Sequence, residues 1–203
     1  MTSPSAALTY RDYAALPDDG RRYELHEGAL SVTPAPGTRH QRIVGRLLEL
    51  LTAHDRERGL GEIVVSPVDV IFSDRTVVQP DLVYIDPGRA GLVTERAIEG
   101  SPTLAIEVIS PSTVTIDRVV KPRLYARYAV PYLWLVDAEA RVLEAFVLER
   151  GEYWLAMRAT GTTPAGVPPF AHVALVPASL WPWSPISRPE PAPSRCAPAR
   201  NNP

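Results

Sequence analysis

Two acids and one amine are the groups in this chain whose types and spacing could do chemistry together. Asp81 follows Pro80 and opens the apolar run Leu82-Val83-Tyr84-Ile85, and Glu107 interrupts Leu104-Ala105-Ile106 and Val108-Ile109. An ionised carboxylate inside an apolar strand is costly unless a cation offsets its desolvation. Two such acids on neighbouring strands also repel each other unless a cation lies between them. A divalent ion answers both problems. Hard oxygen donors suit magnesium or manganese, and magnesium takes one or two carboxylates and leaves its other positions to water and phosphate. Each acid taken alone reads equally well as a strand-end residue paired to an arginine.

The amine is Lys121, the single lysine among 21 lysines and arginines. Guanidinium is a planar, permanently charged fork, whereas ammonium is a compact point charge whose pKa burial can tune. A chain this biased toward arginine keeps a lysine where a point charge is needed, or by chance on a solvated face. Asp117, Lys121 and Tyr125 lie four residues apart, so a helix would set them on one face. The short turn Ser110-Pro111-Ser112-Thr113 lets that face look back at the Glu107 strand. As an exposed pair, Asp117 and Lys121 would contribute only about 0.3–0.5 kcal/mol. Lys121 is therefore read as a site residue, with Asp117 and Tyr125 supporting it.

The elements that must position these groups are legible in outline. Thr9 caps a short helix, and Arg22 to Val32 alternates as a hairpin with Gly28 at its turn. His40 to Arg56 is a helix with the apolar stripe Ile43, Leu47, Leu50 and Leu51, and His40 stands toward its buried side. Strands are expected at Glu62–Ser66, Val68–Phe72, Asp81–Ile85 and Thr103–Ile109, the last two covered on both faces. A helix within Thr113–Tyr128 precedes strands at Tyr132–Asp137, Val142–Glu149 and Tyr153–Arg158. Trp134, Tyr153, Trp154, Trp181 and Trp183 read as packing residues. Helices at two points and sheet elsewhere make a mixed α/β domain.

At 203 residues, 45% hydrophobic and 22% charged, the composition is that of one globular domain. One domain over residues 1–183 and a disordered tail over 184–203, rich in proline, serine and arginine, are expected. The net charge of -2 argues against a general polyanion-coating protein while leaving room for a local nucleic-acid site. Cys196 is the single cysteine, which excludes a disulfide framework and a cysteine metal cage within one chain. No basic leader with an apolar core and no bilayer-length apolar run are evident, so a cytoplasmic protein with no membrane partner is expected.

Gln79-Pro80-Asp81-Leu82-Val83, then Ala105 to Thr113, then Asp117-Arg118-Val119-Val120-Lys121, Tyr125 and Val130 to Asp137, together resemble the Uma-two family. That family is a group within the PD-(D/E)XK restriction-endonuclease-like superfamily. Tyr23-Glu24-Leu25 with Gly28, and His40 opening the long helix, match its N-terminal pattern. The resemblance spans about Thr9 to Trp154. It implies a restriction-endonuclease-like mixed β-sheet flanked by helices, with an additional antiparallel β-hairpin region. It also implies Asp81 and Glu107 as ligands of Mg2+ or Mn2+, Glu24 as a further acid at the metal, and Lys121 as the catalytic lysine. Superfamily members usually carry lysine two residues beyond the second acid; here that position is Ile109, and the lysine comes from the following helix, as this family arranges it. Two departures stand out: Ala129 replaces the family's usual glycine before Val130-Pro131, and Pro122 disfavours helical geometry at Lys121.

The expected activity is metal-dependent endonuclease hydrolysis of phosphodiesters, in DNA, by a homodimer. A catalytically silent nuclease-fold module for binding or oligomerisation, and a metal-dependent phosphoesterase on smaller substrates, are the alternatives. His40 reads equally as a site residue and as a core or capping histidine. Arg39, Arg42, Arg46, Arg118, Arg123 and Arg127 read mainly as solvated helix faces. No glycine-rich phosphate loop is present, which excludes a nucleotide-driven motor.

Overall fold

A short helix, α1 (Tyr10–Ala14), leads into the hairpin β1 (Arg22–His26) and β2 (Ala29–Thr33), and α2 (Thr38–Arg58) follows. The chain continues through β3 (Glu62–Val65), β4 (Asp69–Ser73), β5 (Thr76–Val78), β6 (Leu82–Ile85), β7 (Ala97–Glu99) and β8 (Leu104–Ile109). A π-helical turn, Ile116–Val120, runs directly into α3 (Lys121–Arg127). The strands β9 (Tyr132–Asp137), β10 (Val142–Glu149), β11 (Glu152–Ala159), β12 (Ala165–Val167) and β13 (Phe170–Leu175) complete the fold. This computed structural model describes residues 7–58 and 61–181, with side chains left out for 54–58. The tail expected over 184–203 lies outside the described residues.

A six-stranded sheet, ordered β11-β10-β9-β8-β6-β3, forms the centre. Its β8–β9 pair is parallel and its other pairs are antiparallel. A second sheet, ordered β2-β1-β5-β4-β7, carries the N-terminal hairpin, and β12 and β13 pair as a separate ribbon. The mixed α/β architecture is the one expected. Three short or late pieces had escaped sequence reading. β5 and β7 are three residues each, too short to show a period of two, and the β12–β13 ribbon brackets a Pro168-Pro169 turn.

Alternation along the central strands assigns each face its covering layer. Leu82 and Tyr84 join Leu104, Ile106 and Val108 beneath the α2 stripe of Ile43, Val44, Leu47 and Leu51. Val83, Ile85, Ala105 and Ile109 turn to the opposite face, beneath Leu124 and Tyr125 of α3 and Val70, Val78 and Ile98 of the second sheet. Strands enclosed on both faces are expected to be apolar along their length, as β6 is throughout and β8 is apart from Glu107. Trp134 is buried as expected, and Tyr153 and Trp181 pack against the core. Trp154 does not: it is 60% exposed, because β11 ends the sheet and no layer covers that side chain.

The π turn resolves the conflict that Pro122 poses. Lys121 is helical (φ -61, ψ -43), and its N–H bonds to the Ile116 carbonyl five residues back. Proline in an ordinary helix would clash with the carbonyl four residues before it. Widening the preceding turn makes room, so the helix continues through Pro122, contrary to what the pre-proline rule suggests.

Candidate active site

Asp81 and Glu107 meet because of strand register. Leu82 pairs with Ile106 and Val83 with Ala105, so one further step sets Asp81 opposite Glu107 at the end of the antiparallel pair. Glu107 points to the face covered by α3, where Lys121 and Tyr125 reach it, and Asp81 stands at the strand end between His40 of α2 and Arg22 of β1. Asp81 is buried; its Oδ2 accepts the Val108 N–H at 2.8 Å and lies 3.0 Å from His40 Nε2. Its Oδ1 faces the Arg22 guanidinium, with Nη1 at 3.1 Å. Burial alone would raise the Asp81 pKa, but the His40 hydrogen bond and the Arg22 charge hold it below the ordinary aspartate value.

Lys121 sits among the remaining acids. Its Nζ lies 2.9 Å from Glu24 Oε1, 3.1 Å from Glu107 Oε1 and 3.9 Å from Asp117 Oδ1. Glu24, Glu107, Asp117 and Lys121 are all buried. Burial by itself would depress the ammonium pKa; Glu107, then Glu24 and Asp117, outweigh it and hold Lys121 above its ordinary value. Burial pushes Glu107 up, to about 8, with Lys121 opposing and Asp117, Asp81 and Glu24 adding to the rise. Burial also raises Asp117, Lys121 again opposing. For Glu24 the balance reverses: against burial, Lys121, the His26 hydrogen bond and the Gln79 N–H bring it down to about 2. Tyr125 donates its hydroxyl to Glu107 Oε1, and burial next to that acid keeps the phenol protonated.

A cavity of about 330 Å³ opens onto this cluster. Arg22, His40, Asp81, Glu107, Asp117 and Lys121 line its floor, and Ser110, Ser112 and Thr113 supply hydroxyls at its wall. Glu24 and Tyr125 are not part of the lining; they grip Lys121 and Glu107 from behind. All seven residues singled out in the sequence thus converge, in two layers. Among the described residues no three His, Cys, Asp or Glu side chains form a preformed metal cage. Arg22 is the site residue that sequence reading missed. The signal was there: in the β1 strand a period of two puts Arg22, Glu24 and His26 on one face.

Four of the arginines read as helix faces are engaged in ion pairs. Arg39 pairs with Glu139, Arg46 with Glu49, Arg118 with both Asp137 and Glu144, and Arg127 with Glu27. Among the described residues no helix is long and apolar enough to cross a membrane.

Comparisons with known proteins identify the fold and the family. A solved structure from Anabaena variabilis ATCC 29413, described as a "putative nuclease belonging to DUF820", superposes with a TM-score of 0.71. The match covers 86% of this chain and 97% of that one at 17% identity, which establishes the shared fold. No curated protein matches. The family model Uma2, described as "Putative restriction endonuclease", matches residues 10–175, a span that holds every residue of the site. The chain belongs to the Uma2 family.

Proposed function

We propose that this chain is a divalent-cation-dependent endonuclease that hydrolyses phosphodiester bonds, with DNA as its substrate. The observation that carries the reading is the convergence of Asp81, Glu107 and Lys121 on one cavity. The family's description as an endonuclease supports it.

The donor set fits Mg2+ or Mn2+. Asp81 and Glu107 offer hard carboxylate oxygens facing a cavity with room for water and phosphate, the habit of magnesium sites that hold one or two carboxylates. Four buried acids, Glu24, Asp81, Glu107 and Asp117, surround two cationic side chains, Lys121 and Arg22, an arrangement with room in its charge balance for a bound cation. Asp81 and Glu107 would hold the ion. When bound, it polarises a phosphoryl oxygen and makes bound water a stronger nucleophile.

The chain's own groups do the rest. Lys121, kept charged by three carboxylates, donates hydrogen bonds and stabilises negative charge growing on the phosphorane; an amine so held is a poor general base. Glu24 fixes the ammonium from the second sheet, and Tyr125 fixes Glu107. Because Glu24 is saturated by Lys121, His26 and Gln79 and lies behind the cavity lining, its role here is to anchor the lysine rather than to bind the ion. His40 holds the second oxygen of Asp81.

The reading carries with it a cytoplasmic location and a homodimer. For the second copy the edge strand β11 is the face with suitable chemistry. Among the described residues Trp154 and Leu155 are the most exposed large apolar side chains, and antiparallel self-pairing about Leu155 sets Glu152 of each copy opposite Arg158 of the other.

The test incubates purified protein with DNA and RNA of varied form, with Mg2+ or Mn2+, beside Asp81→Ala and Lys121→Arg. Cleavage of DNA by the native chain alone supports the reading. Cleavage that survives both substitutions removes the site, and cation binding lost in Asp81→Ala without turnover on any substrate converts the chain to a binding module.

A further inference from the structure

Asp81 has one oxygen to spare, and Arg22 is on it. Its Oδ2 is already held by the Val108 N–H and by His40, so Oδ1 is the oxygen left for a cation. That oxygen lies 3.1 Å from Arg22 Nη1. A guanidinium and a divalent ion repel each other and cannot share one carboxylate oxygen in the same direction.

Arg22 is incompletely satisfied where it stands. Nη2 reaches Ser66 Oγ at 3.3 Å, a long bond, and Nε is buried with no acceptor. A buried donor without a partner is destabilising, which marks this as one of two positions rather than the best one. The side chain also has somewhere to go. It lines both the active cavity and an adjoining cavity of about 380 Å³ that runs past Asp18, Ser66 and Gln79.

We propose that Arg22 is an exchangeable counter-ion: it neutralises Asp81 while the divalent cation is absent, then yields Oδ1 to the ion and turns its fork to a phosphate oxygen of the substrate. The planar fork matches phosphate in a way a lysine in its place could not. The exchange keeps the buried acid partnered throughout, so the cluster never faces an uncompensated charge. This rests on the cation-dependent reading above and deepens it by naming a residue that senses the cation and binds the anion.

The experiment titrates Mn2+ calorimetrically into the native chain, Arg22→Gln and Arg39→Gln. It then measures binding of a short DNA duplex with non-cleavable phosphorothioate linkages in Ca2+. Arg39 also lines the cavity but pairs with Glu139, so it controls for general loss of positive charge. Arg22→Gln is expected to bind Mn2+ about tenfold more tightly than the native chain, with Arg39→Gln within about twofold. The same Arg22→Gln is expected to bind the duplex about tenfold more weakly. Opposite signs on the two ligands are the signature that a merely structural arginine would not give. If Arg22→Gln does not fold, Arg22→Lys, which keeps the charge but loses the fork, is expected to move both affinities in the same directions by about threefold. Mn2+ affinity unchanged or weakened on loss of Arg22, in a native chain that does bind Mn2+, overturns the exchange and leaves the nuclease reading standing. A native chain that takes up no Mn2+ overturns both.

Discussion

Lys121 Nζ lies 2.9 Å from Glu24 Oε1, so the base of α3 is tied to a strand of the other sheet by a buried ion pair. This contact joins the two sheets at the site. It means that the lysine is aimed by a residue distant in sequence, and that disturbing β1 disturbs the amine.

Asp81 and Lys121 are predicted to be indispensable for cleavage. Asp81→Asn and Lys121→Arg are each expected to lower kcat on DNA with Mg2+ by about 100-fold or more, read from supercoiled-plasmid nicking. Asp81→Asn is also expected to lower stability by roughly 1–3 kcal/mol in urea, because the half-buried Arg22 loses its charged partner. Full activity in Lys121→Arg would show that any cation suffices there.

Glu24 and Glu107 are predicted to respond to pH in opposite ways. Glu24 is depressed to about 2 from 4.5, so its charge contributes stability that is complete above 4.5 and lost as pH falls toward 2. Glu24→Gln is expected to melt below the native chain at pH 7, the gap closing toward pH 2. Glu107 is raised to about 8, so its protonated form contributes stability that is complete below 4.5 and lost as pH rises through 8. With divalent ions chelated, Glu107→Gln is expected to melt about 5 °C above the native chain at pH 8 and level with it at pH 4. Melting curves of the three proteins across pH check both signs.

Ala129 ends α3 at φ +55, a backbone conformation in which a Cβ is strained. The glycine usual in the family at this place is thereby explained. Ala129→Gly is predicted to raise stability by up to about 1 kcal/mol in urea without changing cleavage. A loss of stability would mean that the side chain contributes packing beyond its strain.

The free edge is predicted to mediate self-association. Glu152→Arg or Arg158→Glu alone is expected to shift the chain from dimer to monomer in light-scattering chromatography, and the double exchange to restore the dimer. A native chain that runs as a monomer at all concentrations would remove the proposed face.

Much of this site was legible because its residues break local rules. Asp81 and Glu107 were conspicuous as acids in apolar strands, and their buried, facing positions follow from strand pairing. Lys121 was conspicuous by its rarity. Pro122 misled, since the sequence carries no sign that a wider turn lies before it. Trp154 misled for a different reason: whether a strand lies at an edge is a property of the whole sheet order, and no local pattern in β11 announces it. Arg22 was harder to single out: its partner Asp81 lies 59 residues away, and its alternation with Glu24 and His26 stands among many other arginines.

The recessed position of Lys121 has a practical side. Its side chain is only 5% exposed, and the chain has no second ε-amine. Acylating reagents that tag proteins through lysine therefore find an almost blank surface, with the α-amine as the main target. Any slow incorporation at residue 121 reports how readily a reagent reaches the floor of the cavity.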